Sequence, residues 1–285
     1  MPKPFVLVVA MSVSVFTAAA QAQMAASESW RLQSSQPAPW APATKVGGPQ
    51  PPAHWRIDAQ RMSGPRPLAC SAASHRFVRL PPEGLFEGNL PEPVARAAEQ
   101  LGLPAGPLMT QRIICSGGSF DLHRDAAGHA WLGLDNRVLR FDRVVSVSSP
   151  EATVQALLLA HFGTDMALSR ASVATKAQWL TPALRQRLNR WLARPPSPNE
   201  APNLNGDPFT DSQEPPLAFE LASVQMQGST AAVTVRFEFE GDHSRNPVRA
   251  STRDVVMQLA RARGGWRIDD LRYADGSRLS KLLSH

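Results

Sequence analysis

The sequence predicts an α+β protein in which a small disulfide-linked α+β domain precedes a cone-shaped domain of helices and a curved antiparallel sheet. Residues 232–240 alternate between apolar and polar side chains, which is the period of a strand with one buried face. A Ser-Pro pair at 149–150 and a Thr-Pro pair at 181–182 each precede an apolar stripe at helical spacing. The two cysteines, Cys70 and Cys115, both come before these helices and predict one disulfide.

The N-terminal residues predict an exported protein. An apolar run at 5–20 follows Lys3, and Ala-Gln-Ala at 20–22 fits a cleavage site, so residues 1–22 read as a signal peptide. An uncleaved anchor is the alternative, but the run is short for a membrane span of about 20 residues. We expect the mature chain in the periplasm or outside the cell, without a membrane span. Residues 23–54, rich in Pro, Ala, Ser and Gln, predict a flexible leader.

Charge and motifs argue against several classes of function. The net charge of +6 lies largely on arginines that are scattered along the chain, so nucleic-acid binding is not predicted. No phosphate loop, dinucleotide fingerprint or nucleophile elbow occurs in the sequence, and no cofactor is predicted.

Residues 55–147 predict the small domain. Apolar spacing indicates a short helix at 91–101 that Gly102 ends. Glycine- and asparagine-rich turns separate short strands at 112–115, 119–123, 130–134 and 137–141. In an oxidising compartment, pairing of Cys70 with Cys115 is favoured over two free thiols or a metal pair.

Residues 149–285 predict the second domain. Helices begin at Pro150 and Pro182, and the segment 171–180 between them is also expected to be helical. A long proline-rich loop then leads into strands at 219–226, 232–240, 252–263 and 266–273. A short terminal helix is expected after Gly276.

The last strand changes parity partway along. Trp266 and Ile268 share one face, whereas Leu271 and Tyr273 share the other. We favour a β-bulge at residues 269–270, which re-aims the strand and turns one carboxylate toward the concave face. A strand covered on both faces is the alternative.

Two stretches of this second domain resemble a known family. Asp-Pro-Phe-Thr-Asp-Ser-Gln at 207–213 and Gly-Trp-Arg-Ile-Asp-Asp-Leu at 265–271, with Gly-Ser at 276–277, are similar to the bacterial domain-of-unknown-function family 3828. The resemblance covers about residues 150–285. It implies an exported, envelope-associated protein with a nuclear-transport-factor-2-like cone, and it supplies no site residues because the family has no assigned catalytic set.

One candidate for catalysis lies on the first helix of the second domain. His161 falls on its apolar stripe and could meet Asp269 or Asp270 near Tyr273, as a base with its orienting carboxylate. A buried histidine with a single hydrogen bond is the structural alternative.

Two groups of acidic residues and histidines could bind a metal ion. Asp207, Asp211 and Glu214 lie in the long loop, without the spacing of an EF-hand, and could instead accept hydrogen bonds from loop amides. The second group flanks one hairpin turn, for which an ordinary turn with exposed polar neighbours is favoured over a metal site; it consists of Asp121, His123, Asp125 and His129.

Without a strong catalytic constellation, the sequence predicts a non-catalytic binding protein. Its expected partner is another envelope or secreted protein, in the manner of an inhibitor or an immunity protein. The alternative is a small-molecule binder or enzyme that uses the cavity of the C-terminal cone and the pair of His161 with Asp269 or Asp270. A filled concave face would argue against that alternative, and an open one would favour it.

Overall fold

The computed structural model describes residues 25–42, 52–146, 148–163, 166–195, 204, 206–241 and 250–284. The predicted signal peptide at 1–22 lies outside these ranges. None of the helices in the described ranges has the length and apolar content that crossing a membrane requires.

Twelve strands in the described ranges form one open antiparallel sheet, in the order β12-β11-β10-β9-β4-β5-β6-β7-β8-β1-β2-β3. The first eight strands, β1–β8, are called the front half, and β9–β12 the rear half. The strands are β1 (Glu28–Pro37), β2 (His54–Asp58), β3 (Arg61–Ser63), β4 (Ser74–Leu80), β5 (Leu108–Cys115), β6 (Gly118–Arg124), β7 (His129–Leu134), β8 (Arg137–Ser146), β9 (Ala218–Gln227), β10 (Thr230–Phe239), β11 (Ser251–Ala262) and β12 (Gly265–Arg272).

The predicted fold class is wrong. The protein is 43% strand and 22% helix, so it is more sheet-dominated than a helices-plus-sheet cone behind a separate α+β domain. β4 pairs with β9 and joins the front and rear halves, and the rings of Phe77 and Phe219 stack there at 4.7 Å. Local sequence periods cannot reveal a pairing between strands so far apart in the chain. The division of the chain near residue 148 stays a prediction.

The segment predicted as a flexible leader contributes a strand. β1 pairs with β8 on one side and β2 on the other, and the side chain of Trp30 is fully buried. The guanidinium of Arg124 lies over the Trp30 ring, 4.8 Å from its centroid. Residues 28–37 are therefore part of the sheet, contrary to the expectation of an unpatterned leader.

The front half packs apolar side chains on both of its faces. One face encloses a cluster that includes Trp30, Trp55, Ile57, Leu122 and Phe141. The other is covered by a 3₁₀ segment (Pro82–Gly88) and helix α1 (Val94–Gln100), which pack over β7 and β8.

The predicted disulfide between Cys70 and Cys115 is confirmed. The two Cα atoms lie 6.1 Å apart, and the bond ties the end of β5 to the segment between β3 and β4. Cys70 also forms backbone hydrogen bonds with Met62 of β3. The disulfide therefore holds the far edge of the front half against its middle.

In the described ranges, four α-helices and a 3₁₀ turn cover the apolar face of the rear half: α2 (Pro150–Phe162), α3 (Arg170–Thr175), the 3₁₀ turn (Ala177–Trp179), α4 (Pro182–Trp191) and α5 (Leu279–Leu282). The predicted start signals are confirmed. The hydroxyl of Ser149 accepts a hydrogen bond from the amide of Ala152, and that of Thr181 accepts one from Leu184. The inward face of the sheet is filled, because Val233, Val235 and Phe237 are buried in the same cluster as the helix residues.

The predicted bulge in the closing strand is also confirmed. Gln258 pairs with Asp270 and Leu259 pairs with Ile268, so Asp269 is the extra residue. The bulge restores one parity, and one buried cluster contains Trp266, Ile268, Leu271 and Tyr273.

Candidate functional site

A pocket of about 200 Å³ opens beside β6 and β7, between the segment that follows β1 and the 3₁₀ segment. Its walls combine aromatic rings with carboxylates. The side chains that matter for its chemistry are Trp40, Phe86, Phe120, Glu87, Asp121 and Asp135.

The aromatic wall depends on a glycine in β7. Trp40 and Phe86 form this aromatic wall, and their ring centroids are 5.2 Å apart. A Cβ atom at Gly133 would come within 3.3 Å of the Phe86 ring and 3.5 Å of the Trp40 ring. The missing side chain therefore lets both rings lie close over the strand, and it keeps the pocket open at this point.

The backbone of Phe86 is held in a left-handed conformation, with a φ of 51°. A bulky residue in this region costs on the order of 1–3 kcal/mol, which surrounding contacts must offset. The Phe86 amide donates a hydrogen bond to Nε2 of His123 at 2.9 Å, and the two rings meet edge to face. His123 thus fixes the position of the aromatic wall.

His123 is an uncharged part of the pocket. Its Nε2 accepts from Phe86, so the proton of the neutral ring is on Nδ1, which lies 2.8 Å from the hydroxyl oxygen of Thr110. Burial lowers the pKa of His123 to about 4. Because both ring nitrogens have partners, this imidazole is not placed to act as a base toward a bound molecule.

The carboxylates of the pocket differ in their partners. Arg112 donates two hydrogen bonds to Asp121, at 2.8 and 2.7 Å, and these bonds raise the pKa of the guanidinium. Glu87 and Asp135 are exposed, and neither forms an ion pair with any other described residue. The described residues therefore hold neither rim carboxylate in an ion pair, although the charge of Glu87 helps to raise the pKa of the nearby Arg112 guanidinium.

The rim at Asp135 is a tight hairpin turn between β7 and β8, as the sequence predicts. Asp135 and Asn136 both have positive φ angles, 48° and 64°, which a type I′ turn requires at its two central residues. The turn aims an aspartate at the mouth of the pocket. Sequence reasoning identified the turn but assigned no function to it, because Trp40 and Glu87 are remote from it in the chain.

The candidate metal residues of the hairpin do not converge. Asp125 accepts hydrogen bonds from the backbone amide and the Nδ1 of His129, at 2.8 and 2.7 Å, which is local turn chemistry. His123 is buried beside Phe86 instead. Across the described ranges, no group of three or more His, Cys, Asp or Glu side chains could hold a metal ion.

His161 pairs with Asp207, not with the two aspartates of β12. Its Nε2 lies 2.7 Å from a carboxylate oxygen of Asp207, and 1% and 10% of the two side chains are exposed. Asp269 accepts a hydrogen bond from Thr181, and Asp270 accepts two from Ser280.

The pair combines His161, which the sequence suggested for catalysis, with Asp207, which it suggested as a ligand of a metal ion in the long loop. Asp207 also accepts from the hydroxyl of Thr210 and the amide of Phe209, and the hydroxyl of Tyr273 donates to the carbonyl of Pro208. His161 does not line any of the four pockets found at Trp40, at Asp211, at Met226 and on α4 among the described residues.

The remaining loop carboxylates lie apart from Asp207. Asp211 has a positive φ of 55°, and its carboxylate is 3.7 Å from the guanidinium of Arg253. Burial raises the pKa of Asp211, and the charge of Arg253 opposes that shift. Asp211 and Glu214 line a second pocket with Arg253, so a cation there would meet a positive charge.

Comparisons of this chain with models of protein families, with curated proteins and with solved structures found no match.

Proposed function

We propose that this chain is an exported, non-catalytic binding protein that takes a cationic side chain of another envelope or secreted protein into the pocket beside Trp40. The observation that carries the proposal is the pairing of an aromatic wall with two exposed rim carboxylates that form no ion pair with the described residues. The disulfide and the apolar N-terminal run support export to the periplasm or beyond the cell.

The size and chemistry of the pocket suit a single ammonium or guanidinium group. A volume of about 200 Å³ accommodates the head of one lysine or arginine side chain. A cation over an aromatic face contributes about 0.5–2 kcal/mol, depending on how far it is desolvated. Glu87 and Asp135 would add attraction from the rim, where both residues adopt left-handed backbone conformations.

The family resemblance of residues 150–285 is part of this proposal. Both of its motifs contribute to one buried cluster, through Phe209 in the first and Trp266, Ile268 and Leu271 in the second. An envelope-associated family is compatible with recognition of an envelope partner. Catalysis by His161 is less favoured, because its ring is buried and hydrogen-bonded to Asp207.

The proposal can be tested with the indole N–H signal of Trp40 in ¹⁵N-tryptophan-labelled protein. N-acetyl-arginine amide should shift this signal, and N-acetyl-citrulline amide, which is nearly the same shape without the charge, should not. The double variant Glu87→Gln/Asp135→Asn should bind the arginine probe at least tenfold more weakly, since each charge contributes about 1 kcal/mol at about 4 Å in water. Asparagine tolerates the left-handed turn position, so the variant keeps the backbone.

The matched control is Glu83→Gln/Glu99→Gln, which removes two exposed carboxylates outside the pocket and leaves probe binding unchanged. The same pair of variants serves as bait in envelope extract. A specific protein partner should be captured by the control and lost with the pocket variant. An equal response to the arginine and citrulline probes, or no response to either, would contradict the proposal.

A further inference from the structure

A second surface is set apart by its charge. Residues 166–199 contain no aspartate or glutamate, and six basic residues fall within them. Helix α4 buries Leu184 and Leu188 in the rear cluster and turns its arginines outward. Arg185 and Arg190 are exposed, as is Arg170 at the start of α3. These three residues, Arg170, Arg185 and Arg190, are called the arginine face.

Unlike several other arginines of this protein, those of the arginine face have no carboxylate partner among the described residues, and they differ from unpaired arginines elsewhere by lying together along one groove. Arg112, Arg124 and Arg236 each bond an aspartate or glutamate. Within the described ranges, no residue of the arginine face forms an ion pair. Its three guanidinium groups line one shallow groove with the neutral side chains of Gln186 and Asn189. The groove therefore offers hydrogen-bond donors and positive charge without a counter-charge from the described residues.

We propose that the arginine face docks on the phosphate groups of an anionic lipid surface. A guanidinium presents a planar fork of donors that matches phosphate oxygens, and it is held here by a helix anchored through two buried leucines. The groove is open and shallow and contains no buried polar side chain, which suits an extended charged surface better than one small anion. The inference shares the exported location with the proposed function, but it shares no residue with the pocket at Trp40.

The experiment measures co-sedimentation of the full chain with vesicles of phosphatidylcholine alone and of phosphatidylcholine mixed equally with phosphatidylglycerol. Binding to the anionic vesicles should be stronger and should decrease with added salt. A basic side chain at an anionic surface contributes about 1 kcal/mol, or about fivefold in affinity. The triple variant Arg170→Gln/Arg185→Gln/Arg190→Gln should therefore bind the mixed vesicles about a hundredfold more weakly.

The matched control is Arg61→Gln/Arg79→Gln/Arg96→Gln, which removes the same charge from exposed positions elsewhere. Any binding through the apolar N-terminal run is common to all variants and to both vesicle types, so it cancels in the comparison. Inorganic phosphate added at equal ionic strength to chloride should compete little, which separates a lipid surface from a free-phosphate site. Equal losses in the two triple variants, or full competition by phosphate, would overturn the proposal, and neither result would bear on the Trp40 pocket.

Discussion

The front and rear halves of the sheet bury their polar side chains differently. In the front half, Glu28, His75, Gln111 and Arg124 are each at most 3% exposed. In the rear half, the helix-covered face holds an apolar cluster, and an arginine such as Arg236 stands 42% exposed with its carboxylate partners. One continuous sheet thus carries a buried polar network on its front strands and a largely apolar inner face on its rear strands, where the buried His161 lies on a covering helix.

The front network is a single hydrogen-bonded chain in which each role is fixed. His75 donates from Nε2 to the carbonyl of Asp58, and its Nδ1 accepts from the amide nitrogen of Gln111, at 3.1 and 3.3 Å. Arg124 donates to the amide oxygen of Gln111 at 2.7 Å and to Glu28 at 2.8 Å. A proton on Nδ1 of His75 would leave two donors facing each other, so the network requires a neutral ring.

The largest expected effect is therefore a loss of stability in acid. Burial lowers the pKa of His75 and His123 from an ordinary value of 6.5 to about 4. Above pH 6.5 both rings are neutral in the folded and unfolded chain. As the pH falls to 4 the unfolded chain binds the protons first, and the free energy of unfolding should decrease by about 3 kcal/mol for each histidine. Urea unfolding across this pH range measures the decrease.

Variants assign this pH dependence to the front half. His75→Gln/His123→Gln should be less stable at neutral pH and should show a flatter decrease toward pH 4, because two proton-binding groups of the unfolded chain are gone. His54 lies exposed at the start of β2, and His54→Gln is the matched control. The same slope in wild type and the double variant would show that other groups cause the acid sensitivity.

The next largest effect is expected at the buried ion pair. Arg124 and Glu28 approach to 2.8 Å, with 2% of each side chain exposed. Arg124→Met should lower the free energy of unfolding by about 3–5 kcal/mol, because it leaves the buried carboxylate with only the more distant, partly exposed Arg143 as a cation. The double variant Glu28→Leu/Arg124→Met should cost less than the sum of the single changes.

Arg143 provides the control for that measurement. Its guanidinium lies 3.5 Å from the same carboxylate, but 32% of its side chain is exposed. Arg143→Met should cost about 1 kcal/mol or less. Equal losses for the two arginine variants in denaturant unfolding would mean that desolvation does not control the strength of these contacts.

The same contrast explains what could be predicted from the sequence. In the rear half, the sequence predicted the caps of the helices, the buried face of β10 and the bulge at Asp269 from patterns within a few neighbouring residues. Each of these predictions is confirmed. In the front half, β1 was missed because its inward face carries Glu28 beside Trp30, which conceals the apolar alternation. The pairing of β4 with β9 has no local signature at all.

The candidate sites follow the same rule. His161 and Asp207 were both selected from the sequence, but for separate hypotheses, because the loop that brings them together has no periodic pattern. The Trp40 pocket was missed since its walls come from distant segments. Residue type and spacing identified several of the polar side chains, whereas tertiary contacts determined which of them are available to a ligand.

The smallest expected effect is at the exposed ion pair of Arg236 with Asp254 in the rear half. Arg236 donates two hydrogen bonds to Asp254, at 2.9 and 3.1 Å, which raise the pKa of its guanidinium. Both side chains are 42% exposed, so water and salt screen the pair. Arg236→Ala should lower the free energy of unfolding by less than about 1 kcal/mol, and added salt should reduce even this loss. A loss as large as that of Arg124→Met would show that the two halves do not differ in how their charges stabilise the sheet.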